Sequence, residues 1–282
     1  MYYLVMHPLP SCWICSSSYA SYQQQKVGNN RSQQFANATP PCAPETRLLP
    51  LSNVLLLLLR APCASGYINV VCVSFAKPDC TYTKGSLSFT GTGLNFWMSG
   101  SVVKSAIAAL KTAQPNTRVL LSVGGATYTN FAAMSVTCIK DLVEDFGFDG
   151  VDLDFEPAGS CQVTGSGVNC PTDALSVSVT TNLRAALPKG QYLLSTASFH
   201  VGMYGEGAFA NARPTGSAYT GVNLAMAKST AGQSLDLINI MAYDAGNIAT
   251  TGFDYAESYR AHRVWWTTQA IAIGVEIPPE AW

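Results

Sequence analysis

Phe148-Asp149-Gly150-Val151-Asp152-Leu153-Asp154-Phe155-Glu156-Pro157 is the stretch on which the reading of the chain turns. Successive side chains of a β-strand point to opposite faces. Asp152, Asp154 and Glu156 therefore share one face, and Val151, Leu153 and Phe155 share the other. The apolar set suits packing against helices outside a barrel. The acidic set then points inward, at the carboxyl end of the strand, where barrel proteins place their sites. Carboxyls spaced about 7 Å apart along one face repel each other. Such crowding favours keeping a proton within the group and raises at least one apparent pKa. A solvated edge strand would rarely have so clean an apolar opposite face ending in Glu-Pro. A divalent-cation site gains no support from a row of carboxyls without a nearby histidine.

Outward from this stretch, short apolar runs alternate with amphipathic segments. The runs are Ile68–Phe75, Arg118–Val123, Gly150–Phe155, Tyr192–Phe199, Leu235–Tyr243 and Ala270–Val275. Val103, Ile107 and Leu110 fall on one helical face of 102–113, and Ile139, Leu142, Val143 and Phe146 on one face of 131–146. Strand, helix, strand in this rhythm predicts parallel βα units. Both a (β/α)₈ barrel and a doubly wound sheet accommodate six such units, so periodicity alone leaves the two open.

The acidic motif resembles the DxxDxDxE signature of the family-18 glycoside hydrolases, the chitinase family. Ser122-Val123-Gly124-Gly125 resembles that family's SxGG motif, and Met241-Ala242-Tyr243-Asp244 its MxYD motif. Ser74-Phe75-Ala76 is similar to the aromatic end of its second strand. The matches occur in the family's order and span Tyr67 to Trp282.

The resemblance implies an α/β fold, a (β/α)₈ TIM barrel. Residues 67–282 would supply strands two to seven. Leu48–Arg60 stands where the first strand belongs and does not resemble it, and the sequence stops just after the seventh. The expectation is thus an incomplete barrel with open strand edges. The resemblance also implies a retaining chitinase that cuts β-1,4 bonds between N-acetylglucosamine units, using the substrate's own 2-acetamido oxygen as nucleophile. Glu156 would protonate the leaving oxygen and then activate water. Asp154 would orient the acetamido N–H, Asp152 would tune Asp154, and Tyr243 would donate to the acetamido carbonyl. Asp244, Met241 and Phe75 would line the substrate site, and Gly124 and Gly125 would leave room for the sugar. No cofactor or metal is implied. An endo-β-N-acetylglucosaminidase acting on N-glycans shares the motif, and a chitin-binding lectin-like protein is the reading in which an incomplete barrel does not turn over. Trp97, Tyr128, Phe199 and Tyr204 are further aromatics able to stack on sugars, while His200 and His262 read as structural.

Composition sets the remaining bounds. The chain has 282 residues, 48% of them hydrophobic and only 12% charged, with a net charge of -1. That is enough for one large core, and no basic footprint for nucleic acid or an anionic membrane is visible. The family resemblance makes chitin or a chitooligosaccharide the expected partner and a secreted monomer the expected state, although Met1–Pro10 does not read as a signal peptide. No Gly-rich phosphate loop or HExxH motif is present. Residues 1–66 form a separate N-terminal segment. Its first 47 residues are rich in Ser, Gln, Asn and Pro without apolar periodicity, which predicts disorder, and they contain the sequons Asn30-Arg31-Ser32 and Asn37-Ala38-Thr39. Its apolar run, Leu48–Leu59, is too short to span a bilayer as a helix. Nine cysteines leave at least one unpaired if the rest form disulfides. Cys161 and Cys170 flank a Gly/Ser-rich stretch that a disulfide can close, whereas Cys12-Trp13-Ile14-Cys15 reads as an incidental CxxC.

Overall fold

The computed structural model describes residues 4–6, 68–156, 160–164 and 167–275. The apolar run at 48–59, the two sequons and the CxxC lie outside them. A short strand, β1 (Leu4–Met6), precedes six strands that form one parallel sheet. These are β2 (Ile68–Ala76), β3 (Arg118–Gly124), β4 (Gly150–Asp154), β7 (Leu193–Phe199), β8 (Leu237–Met241) and β9 (Ala270–Gly274), neighbours in that order. Their crossovers carry α1 (Gly100–Ala113), α2 (Val136–Phe146), α3 (Asp173–Ala186), α4 (Leu224–Lys228) with α5 (Thr230–Gln233), and α6 (Tyr255–Trp265). A disulfide-closed hairpin, β5 (Gln162–Thr164) and β6 (Gly167–Asn169), is inserted between β4 and α3.

The sheet is curled, so the doubly wound alternative falls. Val70, Cys72, Leu120, Leu237 and Ala272 cluster with Leu193 and Ala270. These residues belong to five different strands, and a flat sheet would hold them apart. They make an apolar floor to the barrel. The opposite faces pack against the helices: Val151, Leu153 and Phe155 of the β4 segment join Ile107, Ile139, Leu142 and Val143 in one continuous core. Fully burying each such side chain contributes about 1.5–3 kcal/mol.

Three local differences from the sequence expectations have physical causes. The predicted helix at 131–146 is split into a single 3₁₀ turn, Phe131–Ala133, and α2. Ser135 makes the break by accepting from the Cys138 N–H at 3.3 Å, which caps the new N-terminus. β8 starts at Leu237 rather than Leu235, because the Asp236 carboxylate turns back to accept from Leu194 N at 2.9 Å and from Arg184. β1 lies in the segment expected to lack structure. It pairs antiparallel with β2 and also lies beside β9. An edge strand presents unpaired N–H and C=O groups, and β1 covers the edge that β2 would otherwise expose.

Cys161 and Cys170, which the sequence left able to pair, form a disulfide. A second disulfide, Cys80–Cys138, joins the β2–α1 connection to α2, and Cys72 is free and buried beneath the site. No helix among the described residues is long and apolar enough to cross a membrane.

Candidate active site

The registry of the sheet sets the site in layers. Ser122, Asp152 and Ser195 are register partners across β3, β4 and β7. One layer higher, Gly124, Asp154 and Ala197 align, and Phe199, Met241 and Gly274 align across β7, β8 and β9. The polar layer rests on the apolar floor and opens toward the carboxyl ends of the strands.

Asp152 is buried and receives three hydrogen bonds. Ser195 Oγ and Asn239 Nδ2 donate to Oδ1 at 2.5 and 3.1 Å, and Ser122 Oγ donates to Oδ2 at 3.1 Å. Burial pushes its pKa up, and these donors oppose the rise. Asp154 is fully buried, yet neither of its carboxylate oxygens receives an N–H or O–H from the described residues. Burial, and then the charges of Glu156 and Asp152, drive its pKa well above the usual carboxylate range. Glu156 lies against it carboxyl to carboxyl. Burial raises the Glu156 pKa, while Asp154 and the Ala126 backbone N–H draw it down. Two carboxyls in contact without another donor hold one proton between them. This contact is closer than the strand repeat alone predicts.

The fourth acid of the motif has a different place. Asp149 sits before β4, at the floor end. Its Oδ2 accepts from Val119 N at 2.8 Å and its Oδ1 lies 2.8 Å from Lys111 Nζ. It binds β4 to β3 and takes no part in the carboxyl group above.

The other predicted residues gather at the mouth. Met241 is buried at the end of β8, in a cluster with Phe199, Ala197, Val222 and Cys170 on which half-buried Tyr243 packs. The Tyr243 ring lies against Gly274 of β9, and Asp244 follows it, exposed, at φ +59°. Half-buried Phe75 stands near the end of β2, after a cis Ser74–Phe75 peptide. A Cβ on Gly124 would meet the Asp154 carbonyl oxygen at 2.1 Å, and one on Gly125 would meet the Phe75 ring at 3.1 Å. At Gly124 the protein's own backbone fills the space a side chain would need, and at Gly125 the Phe75 ring would have to give way.

Of the further aromatics, Tyr204 is buried, Phe199 stacks on Tyr219 at 3.9 Å, and Tyr128 is half-buried with its hydroxyl donating to Gly93 O at 3.2 Å. Trp97 is exposed. His262 is structural, as expected: it is buried, with its ring nitrogens 2.8 Å from Ser198 Oγ and 2.8 Å from Ser258 O. His200 packs edge-on to Phe253 and hydrogen-bonds the Met241 backbone. Sequence reasoning assigned no role to Ser195, Asn239 or Ala126. Nothing local marks them, since only the register brings them to Asp152 and Glu156. Among the described residues, no group of three or more His, Cys, Asp or Glu side chains is arranged to hold a metal ion.

A curled parallel sheet with a group of buried carboxyls at its mouth defines a protein of the α/β-barrel class with an acidic site at the carboxyl ends of its strands. Comparison with known proteins makes this specific. The family described as "Glycosyl hydrolases family 18" matches residues 51–272, and the chain belongs to it. The match begins inside the apolar run, sixteen residues before the motif resemblance starts at Tyr67. A chitinase of Plasmodium falciparum (isolate 3D7) is 36% identical over 109 residues, covering 33% of this chain. The chain spans only 27% of that relative's length. Among solved structures, a GH18 chitinase from Pseudoalteromonas aurantia is similar with a TM-score of 0.51 at 18% identity, covering 73% of this chain and 72% of that one. A class V chitinase from Nicotiana tobaccum gives 0.50 at 14% identity, covering 80% and 62%. A mutant GH18 chitinase from Cycas revoluta, solved with (GlcNAc)4, gives 0.50 at 16%, covering 79% and 63%. At these identities the structural likeness concerns the fold, a (β/α)₈-type barrel to which the described residues contribute six parallel strands.

Proposed function

We propose that this protein is a secreted, monomeric chitinase that hydrolyses β-1,4 linkages between N-acetylglucosamine units with retention of configuration. The observation that carries the reading is the Asp154–Glu156 carboxyl pair. The pair retains a proton because burial disfavours the doubly ionised state. Glu156, less buried than Asp154, is the member that can hand a proton to a leaving oxygen.

The rest of the site then has work that matches its geometry. A buried carboxyl oxygen without a protein donor costs about 1–3 kcal/mol, and more when it is ionised, and the acetamido N–H of a bound sugar is a donor of the right kind for Asp154. Once Glu156 gives up its proton, Asp154 faces both that N–H and the positive charge developing on the ring. Asp152, fixed by Ser122, Ser195 and Asn239, raises the Asp154 pKa through its charge and so helps the pair keep its proton. Tyr243 holds the acetamido carbonyl oxygen in line with the anomeric carbon, so the nucleophile belongs to the substrate. Family-18 enzymes are exceptions of this kind to the two-carboxylate scheme, and holding an internal nucleophile in place is a proximity effect. In the second step Glu156 takes a proton from water as water opens the oxazolinium ion. Met241, Asp244 and Phe75 line the same sugar site.

The test is release of fluorophore from a labelled N,N′-diacetylchitobioside by the purified chain, beside Glu156→Gln. Release by the wild type and none by a folded Glu156→Gln is the expected result. Equal release by both contradicts the assignment of Glu156. Binding of chitooligosaccharide without release by a folded wild type replaces the enzyme with a chitin-binding protein.

A further inference from the structure

The hairpin that follows Glu156 is tied down more firmly than a surface insertion requires. The Cys161–Cys170 disulfide closes its base, and Cys161 N donates to Ala218 O at 3.4 Å. Val168 on β6 fills a socket in the β7–α4 connection. A Cβ on Gly205 or Gly221 would lie 2.6 or 2.5 Å from its γ-carbons, and both glycines have positive φ, +95° and +80°. Glu206 is the latch: its Oε1 accepts from Val168 N at 2.9 Å, and its Oε2 pairs with Lys228.

This docking reaches the site. Both cysteines and Val168 pack on the cluster of Ala197, Phe199, Val222 and Met241 that also carries Tyr243. A single packed body therefore runs from the latch to the end of β8. The hairpin leaves the sheet directly after the acid and returns against the side chain that faces the acetamido group.

We propose that the hairpin is a positioning element of the active site, and that Val168 and Glu206 are positioning residues that hold Met241 and Tyr243 in the geometry the reaction uses. This rests on the proposed role of Tyr243 in holding the acetamido carbonyl. Close-packed contacts transmit displacement because interiors have little free volume. An orienting hydroxyl displaced by a fraction of an ångström loses much of its effect.

Two measurements test it. Hydrogen–deuterium exchange compares wild type with Val168→Ala, which empties the socket, and with Glu206→Ala, which removes the latch. Amides at 241–245 are expected to exchange about tenfold faster in either folded variant, while those of β3 keep the wild-type rate. Unchanged exchange at 241–245 overturns the proposal whether or not the chain is active. Hydrolysis of a chitooligosaccharide then separates positioning from general loosening. Val168→Ala and Glu206→Ala are expected to lower kcat about tenfold with a smaller change in KM. Glu206→Gln, whose amide oxygen still accepts the Val168 N–H, should rescue kcat. In a Tyr243→Phe background the Val168→Ala penalty should shrink to about twofold or less. A full penalty in that background contradicts the proposal. Faster exchange in the variants of an inactive wild type removes the chitinase reading and leaves the hairpin's hold on β8 standing.

Discussion

Asp154 and Glu156 touch carboxyl to carboxyl, and Asp154 has no other polar partner among the described side chains and N–H groups. The relationship makes the pair a proton store, and it gives the folding stability a pH dependence of definite sign. The Asp154 pKa is raised in the folded chain above its ordinary value of 3.8. Between the two values the folded state binds a proton that the unfolded state has lost. This contribution is therefore fully present below the unfolded pKa and is lost as pH rises through the folded one.

Asp154→Asn should remove that dependence. Denaturant melts across the window above pH 3.8 should show the wild type losing stability relative to the variant as pH rises. Each unit of pKa separation is worth about 1.4 kcal/mol. A constant difference between the two proteins would show that Asp154 titrates normally.

His262 acts with the opposite sign. Burial lowers its pKa from 6.5 to about 4. Its neutral form is the one the fold accommodates, so this stability is present above pH 6.5 and is lost as pH falls toward about 4. The loss amounts to roughly 3 kcal/mol. His262→Gln should be less stable at neutral pH by about 1–3 kcal/mol, because Ser198 loses its partner. Its urea midpoint should then fall less steeply with acid than the wild type's.

Gly124→Ala and Gly147→Ala separate crowding from backbone strain. Both glycines have positive φ, but a Cβ at Gly147 meets nothing within 4 Å, whereas one at Gly124 meets the Asp154 carbonyl at 2.1 Å. Gly147→Ala should cost about 1–2 kcal/mol, and Gly124→Ala roughly 2–6 kcal/mol. Thermal melts check the order, and equal losses would contradict the packing of β3 on β4.

Asp149→Ala tests whether the first acid of the motif is structural. It removes the hydrogen bond to Val119 N and the Lys111 ion pair, at a cost of about 1–3 kcal/mol. The folded fraction should keep its kcat on a chitooligosaccharide, read with stability from the same preparation. A loss of kcat at unchanged stability would move Asp149 into the chemistry.

The strands were legible because each is an apolar run bounded by turns, and the inward row Asp152, Asp154, Glu156 because strand alternation is a strict period of two. Periodicity could not choose between a barrel and a flat sheet, since both use the same units. That choice needed the floor, where Val70, Leu120 and Leu237 meet across the interior. The partners of Asp152 were hidden for a related reason: Ser195 and Asn239 are unremarkable in their own strands and reach the acid only through register. Leu4–Met6 carried no periodic signal because three residues are too few to show one, and its structure comes from pairing with β2. The atoms that crowd Gly124 and Gly125 were hidden because sequence shows that a side chain is missing, not which atoms stand beside its place.

The configuration of the newly formed product tests the proposed chemistry most directly. Proton NMR of a chitooligosaccharide digested by the wild-type chain, recorded before mutarotation, should show the β-anomer first at the new reducing end, as attack by the substrate's own acetamido oxygen requires. An initial α-anomer would mean direct attack by water, and would contradict the proposed roles of Tyr243 and of the Asp154–Glu156 pair.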